Sequence, residues 1–281
     1  MRILAVSDLH VDYPENLDWV ESLSCSDYVA DVLLVAGDIS HEDSLVCRVM
    51  EALLFRFREV FFVPGNHDLW LRDSMYENSL AKFYGLLERC NELGIHTGPK
   101  HLENGGPRIV PLHAWYVGPH EGEGSLYVAK QGEDPDLRMW ADKRAVRWPL
   151  FDGHATPAEF FLSLNDVHAP DAGHAPVISF SHFLPRPELM FWTEAEFAAT
   201  GLSPVDPQPR FNFSRVAGCR ELGEQILCLE SHIHVYGHQH RNRDRTIDDV
   251  RYISHCLGYP REREQGRVQG IEHGPLMIWE G

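Results

Sequence analysis

Residues 60–68 read VFFVPGNHD. Four apolar, β-leaning residues run into Pro64 and Gly65, which stop a strand, and the chain turns at once into Asn66-His67-Asp68. A buried strand that ends on a glycine turn and a polar cluster is how an α/β sheet presents its ligands, at the carboxyl ends of its strands. The pattern repeats on both sides. Residues 2–6 (RILAV) lead into Asp8-Leu9-His10, and residues 31–36 (DVLLVA) into Gly37-Asp38. Further along, residues 177–180 lead into Ser181-His182, and residues 234–236 into Gly237-His238-Gln239-His240. Residues 109–112 and 250–253 read as two more strands.

Helical spacing fills the intervals. Residues 14–23 and 74–93 read as helices, the second stopped by Gly94, and residues 42–57 place Leu45, Val49, Leu53 and Phe57 at four-residue steps. Strands alternating with helices predict an α/β fold. Between residues 117 and 175 the pattern breaks into Gly, Pro, Asp and His, with one helical piece at 157–164. We read this stretch as a cap-like insertion within a single domain spanning residues 1–281. Residues 202–214 read as an extended loop.

The polar clusters share one chemistry. Residues two apart on an extended backbone point the same way, so Asp8 with His10, and His238 with His240, can each grip one centre. The glycines before Asp38, Asn66 and His238 leave room for tight turns. Carboxylate, imidazole and amide oxygen together suit borderline divalent ions such as Mn, Fe, Zn or Co. Seven potential ligands (Asp8, His10, Asp38, Asn66, His182, His238 and His240) are too many for one ion. Two ions sharing Asp38 can hold a bridging hydroxide and clamp an in-line displacement at phosphorus.

These motifs, in this order, resemble the calcineurin-like metallophosphoesterase superfamily, and the resemblance runs from Asp8 to His240. It implies a four-layer α/β/β/α sandwich of two mixed sheets flanked by helices. It implies one metal held by Asp8, His10 and His240, a second held by Asn66, His182 and His238, and Asp38 bridging. His67 resembles the family's non-ligand histidine, which stabilises the transition state or protonates the leaving oxygen; Asp68 beside it steadies the loop. Where the family's protein phosphatases carry an Asp three residues after the bridging aspartate, this chain has His41, as in the nuclease subunit of double-strand-break repair complexes. His41 is therefore a candidate partner of His67 or of the leaving group. The phosphatases' following Arg is absent too, against a phosphoprotein phosphatase. Residues 181–185 (SHFLP) and 259–263 (YPRER) are similar to a branch of the family found in plants, algae and bacteria.

The expected activity is metal-dependent hydrolysis of a small-molecule phosphomonoester or phosphodiester, with cyclic nucleotides or nucleotide pyrophosphates as the alternative. Arg186 and His113 are candidate substrate contacts. Trp140 and Trp148 read as packing within the insertion, and the alternating charges of residues 261–264 as a solvated face. A net charge of −17 argues against a nucleic-acid substrate and an anionic membrane. Six cysteines without a C-x-x-C pair, and no apolar leader, read as a cytoplasmic protein with reduced thiols. A non-catalytic binding scaffold is the rival class, and the intact ligand set speaks against it. Oligomeric state is not legible.

Overall fold

The computed structural model describes residues 1–72, 74–103, 105–168, 175–201, 206 and 208–281. Alternation along the strands decides the layering. In β1 (Arg2–Val6), Ile3 and Ala5 face one way and Leu4 and Val6 the other. β2 (Val32–Ala36) separates Val32, Leu34 and Ala36 from Leu33 and Val35, and β3 (Glu59–Val63) separates Phe61 and Val63 from Val60 and Phe62. A sheet apolar on both faces has to be covered twice. One face packs on α1 (Pro14–Ser22), α2 (Asp43–Leu54) and α3 (Ser79–Leu93), through Val20, Val49, Leu53 and Leu86. The other packs on a second sheet, through Ile109, Ile178, Phe180, Ile233, Val235 and Ile253.

That second sheet is built from β4 (Lys100–His101), β5 (Arg108–Pro111), β6 (Val177–Phe180), β7 (Ser231–Val235), β8 (Arg243–Ile247) and β9 (Val250–Ser254), in the order β4-β5-β6-β7-β9-β8. Its inner strands are parallel, with antiparallel strands at both edges. The first sheet runs β10-β1-β2-β3, where β10 (Leu276–Glu280) lies antiparallel to β1. Two short helices, α4 (Asp142–Ala145) and α5 (Pro157–Ser163), follow β5; α6 (Glu194–Thr200) and α7 (Arg220–Cys228) precede β7; α8 (Pro260–Glu264) follows β9. Ala158 and Phe161 of α5, with Leu222 and Ile226 of α7, cover the outer face of the second sheet. The result is α/β/β/α, with two mixed sheets between helical layers.

The expected strands and helices form, with shifted ends. The long helix starts at Ser79, where the Asn78 side chain caps it by accepting the Ala81 N–H at 2.8 Å, and it stops at Gly94 in the left-handed conformation (φ 85°). β7 occupies residues 231–235, earlier than the expected 234–236, because its partners set its span: Ile233 pairs with Ile178 on one side and Arg251 on the other. β4 and β8 carry no apolar run that marks a strand, and the apolar run of β10 (LMIWE) is not among the expected strands; all three lie at sheet edges, where pairing to a formed neighbour selects them. Within the 117–175 stretch, Val117, Leu126, Ala158 and Phe161 are buried in the outer core. Residues 169–174 of that stretch, and 202–205 and 207 of the expected 202–214 loop, lie outside the described residues. Among the described residues no helix is long and apolar enough to cross a membrane.

Candidate metal centre

The turns after β1, β2 and β7 are sharper than strand ends require. Asp8 (φ 50°), His10 (43°), Asp38 (58°), His238 (73°) and His240 (51°) all adopt the left-handed backbone region. Outside glycine that region is sparsely populated, although Asn, Asp and His enter it more readily than most. Such strain collects where side-chain direction matters more than local comfort. Two glycines leave the necessary space. A Cβ on Gly37 would stand 2.5 Å from His182 Nδ1, and one on Gly65 would stand 2.1 Å from Asp38 Oδ1.

The seven expected ligands converge in a buried cleft between the two sheets' carboxyl ends. Ligand atoms of Asp8, His10 and His240 form one group, and those of Asp38, His182 and His238 another. His240 Nε2 lies 3.4 Å from Asp8 Oδ1 and 2.9 Å from His10 Nε2. In the second group His182 Nε2 lies 3.1 Å from both His238 Nδ1 and Asn66 Oδ1. Asp38 stands between the groups, its Oδ2 3.8 Å from His10 Nε2 and 3.5 Å from His182 Nε2.

The hydrogen bonds on the far side of each ring fix what the near side offers. His182 Nδ1–H donates to the Ala36 carbonyl at 2.9 Å, and His238 Nε2–H to the Val216 carbonyl at 2.8 Å. The opposite nitrogens therefore carry lone pairs into the cleft, where they meet other acceptors. This is the usual arrangement behind metal-bound imidazoles. Acceptors crowded without donors are costly in a buried site unless a cation lies between them. The donor set thus fits divalent metal ions. Charge tells the same story. Burial, then repulsion from Asp68 and Asp8, holds the Asp38 carboxyl well above the usual carboxylate range. Against its own burial, Asp8 is held below that range by His240, His182 and His10.

Residues 1–242 match the family model described as calcineurin-like phosphoesterase. The chain belongs to the calcineurin-like phosphoesterase family. It is a metal-dependent phosphoester hydrolase. The chain is 29% identical over 269 residues to [Acyl-carrier-protein] phosphodiesterase PptH of Mycobacterium tuberculosis (strain ATCC 25618 / H37Rv), a match covering 92% of this chain and 78% of that one. The crystal structure of phosphopantetheinyl hydrolase (PptH) from the same species shares the fold, with a TM-score of 0.68 and 22% identity over 94% of this chain and 92% of that chain.

In this phosphoesterase, His67 stands beside the ligands. Its Nε2 is 4.0 Å from Asp38 Oδ2 and 3.5 Å from the Tyr259 hydroxyl, and its ring stacks on Trp70 at 3.6 Å. Burial, then the nearby imidazoles, keeps it well below its ordinary pKa and so uncharged. Asp68 accepts backbone N–H groups of Asp38, Ile39, Ser40 and Gly65 at 2.8 to 3.1 Å, tying the loops after β2 and β3 together. Burial nonetheless lifts its carboxyl to about 6. His41 pairs with Asp12 at 2.8 Å, and Trp70 contacts both the His41 and the His67 rings. Arg186 is engaged by Glu188 at 3.0 Å and Asp248 at 2.9 Å. His113 packs edge-on against Phe83, and burial lowers it to about 4.

Four residues at the centre escaped the reading of the sequence: Trp70, Asp142, Tyr259 and Glu262. Glu262 belongs to the run taken for a solvated face, yet its Oε2 lies 2.7 Å from His240 Nδ1. A signal existed, since Pro260 followed by Glu262 is the pattern of a helix start with an acidic third position. Trp140, expected to pack within the insertion, stacks on Phe211 and also stands edge-on to His238. Trp148 packs on Trp115 and Phe161.

Proposed function

We propose that this enzyme cleaves a phosphodiester, and that its substrate is the diester joining a phosphopantetheinyl group to an acyl-carrier protein. The observation that carries this reading is the 29% identity to an acyl-carrier-protein phosphodiesterase along 92% of the chain. The centre supports a diester. The groups beside the ligands are an uncharged imidazole and a phenol, His67 and Tyr259, which match a singly charged phosphate. Arg186, the candidate guanidinium contact for the substrate, is already paired with two carboxylates.

Two divalent ions would complete the centre: Asp8, His10 and His240 would hold one, Asn66, His182 and His238 the other, with Asp38 shared between them. Mn, Fe, Zn and Co all suit these donors. When bound, the ions neutralise the phosphoryl oxygens and activate water at neutral pH. His67 donates a hydrogen bond to the charge that develops on the phosphoryl or leaving oxygen. Tyr259 limits where His67 Nε2 can point, and Asp68 holds the two loops in register. Because His67 is uncharged it contributes that hydrogen bond rather than a proton, and the leaving oxygen takes its proton from water. We read the chain as one domain in which Trp140, from the insertion, walls the cleft at His238. The six free thiols support a cytoplasmic location.

A nucleotide diester is the second reading. A cavity of about 190 Å³ beside Glu262 is lined by Gln208, Arg261, Gln265 and Arg267. Among the described residues neither arginine forms an ion pair, so both can read a further phosphate. The test is hydrolysis by the manganese-loaded protein of bis-p-nitrophenyl phosphate, p-nitrophenyl phosphate, a 3′,5′-cyclic nucleotide and holo acyl-carrier protein, with Asp38→Asn as the control. Preference for the diester over the monoester, with release of phosphopantetheine from the carrier protein, is the expected result. Preference for the monoester overturns the diester reading; turnover of the cyclic nucleotide alone overturns the carrier-protein substrate.

A further inference from the structure

Asn66 is the one amide among the expected ligands, and only one of its two ends can meet a cation. Its amide oxygen and nitrogen are nearly the same size, but only the oxygen has a lone pair for a cation; the nitrogen would present N–H groups to it. Something must choose between them. In the structure Asn66 Oδ1 faces His182 Nε2 at 3.1 Å, and Nδ2 donates outward to Asp142 Oδ1 at 2.9 Å. Asp142 Oδ1 is an acceptor in both of its hydrogen bonds, so it binds the NH₂ end and turns the amide oxygen inward. The same Oδ1 accepts the Trp70 Nε1–H at 2.6 Å, and Trp70 is the ring on which His67 stacks. Asp142 is 3% exposed and lies on α4 in the insertion, 76 residues from Asn66 along the chain.

We propose that Asp142 is a positioning residue for both halves of the chemistry. By accepting from Asn66 it sets the amide oxygen toward the second ion, and by accepting from Trp70 it fixes the surface that supports His67. The insertion is then part of the catalytic architecture, since it supplies the carboxylate that the ligand loop lacks. The inference rests on Asn66 being a ligand of a two-ion centre, as assigned above.

Calorimetric titration of metal-free protein with manganese tests it on wild type, Asp142→Ala, Asp142→Asn, Asn66→Ala and the Asn66→Ala/Asp142→Ala pair. The expected result is two sites in wild type and a loss of about 10–100-fold at one of them in Asp142→Ala, the size typical of outer-shell partners. Asp142→Asn, nearly isosteric, loses less, because its carbonyl still accepts from Asn66. In the Asn66→Ala background Asp142→Ala adds no further loss, which a general structural role would not reproduce. Single-site binding by wild type, or unchanged binding by Asn66→Ala, overturns the two-ion assignment itself. Weakened binding by Asn66→Ala with unchanged binding by Asp142→Ala and Asp142→Asn overturns the role of Asp142 alone. If Asp142→Ala loses its far-ultraviolet dichroism, Asp142→Leu, close in volume but without an acceptor, decides, and wild-type affinity there counts against the proposal.

Discussion

Glu262 Oε2 lies 2.7 Å from His240 Nδ1 and at the same time accepts the Tyr259 backbone N–H at 2.8 Å. One oxygen thus starts α8 and aims the imidazole proposed as a metal ligand. Burial opposes charge on His240, yet Glu262 and Asp8 hold it well above its ordinary range. Glu262→Gln keeps the shape but weakens the acceptor. Manganese affinity and turnover should each fall about 10–100-fold. Calorimetry and bis-p-nitrophenyl phosphate hydrolysis read both, and wild-type values would mean that His240 is oriented by other contacts.

His67 and Asp38 should separate cleanly. Asp38 touches both ligand groups, so Asp38→Asn should lower metal content and abolish turnover together. His67 lies beside the ligands, so His67→Ala should keep the metal and slow kcat by about 10²–10⁴-fold, the range of a positioned proton or hydrogen-bond donor. Elemental analysis of the purified variants, set beside their rates, makes the distinction; loss of metal in His67→Ala would make His67 a ligand.

Gly37 has φ 81°, and a Cβ there would stand 2.8 Å from the Gly65 nitrogen as well as 2.5 Å from His182 Nδ1. Gly37→Ala should destabilise the fold by about 1–3 kcal/mol through backbone strain. It should also displace His182 from the Ala36 carbonyl. Thermal unfolding of the metal-free protein measures the first effect and metal content the second. A variant with unchanged unfolding temperature would show that the turn relaxes freely.

Acid should loosen the segment around Glu133. Its carboxylate accepts from Arg215 Nε at 2.9 Å and Asn212 Nδ2 at 2.6 Å, and also binds the Tyr127 hydroxyl. Arg215 first, then Tyr127 and Asn212, hold Glu133 down at about 2 from an ordinary 4.5, against some desolvation. The folded pKa is depressed, so the stabilisation is complete above about 4.5 and is lost as pH falls toward about 2. Urea midpoints measured at pH 6 and pH 3 should differ less in Glu133→Gln than in wild type. Equal differences would assign the acid sensitivity to other carboxylates.

Much of this enzyme is legible without coordinates. Residues 60–68 already contain a buried strand, its glycine stop and two of the polar groups that reach the cleft. The candidate ligands could be read because each follows its strand by two to five residues, and local backbone geometry throws such side chains to the strand's carboxyl end. The two-sided apolar alternation of β1 to β3 likewise required layers on both faces. What stayed hidden depended on distance along the chain. Nothing local marks Asp142 as the acceptor of an amide 76 residues away, nor Tyr259 as a neighbour of His67. Glu262 carried the mark of a helix start, but its partner His240 is reached only after β8 and β9 have returned the chain to the cleft. β4 and β8 were invisible for the same reason: an edge strand is chosen by the backbone it pairs with. The sequence by itself determined the layers and the ligand-bearing turns, because both follow from short-range periodicity and turn chemistry. Only the tertiary structure decided which carboxylates orient those ligands, because a hydrogen bond between distant segments exists only once packing has brought them together.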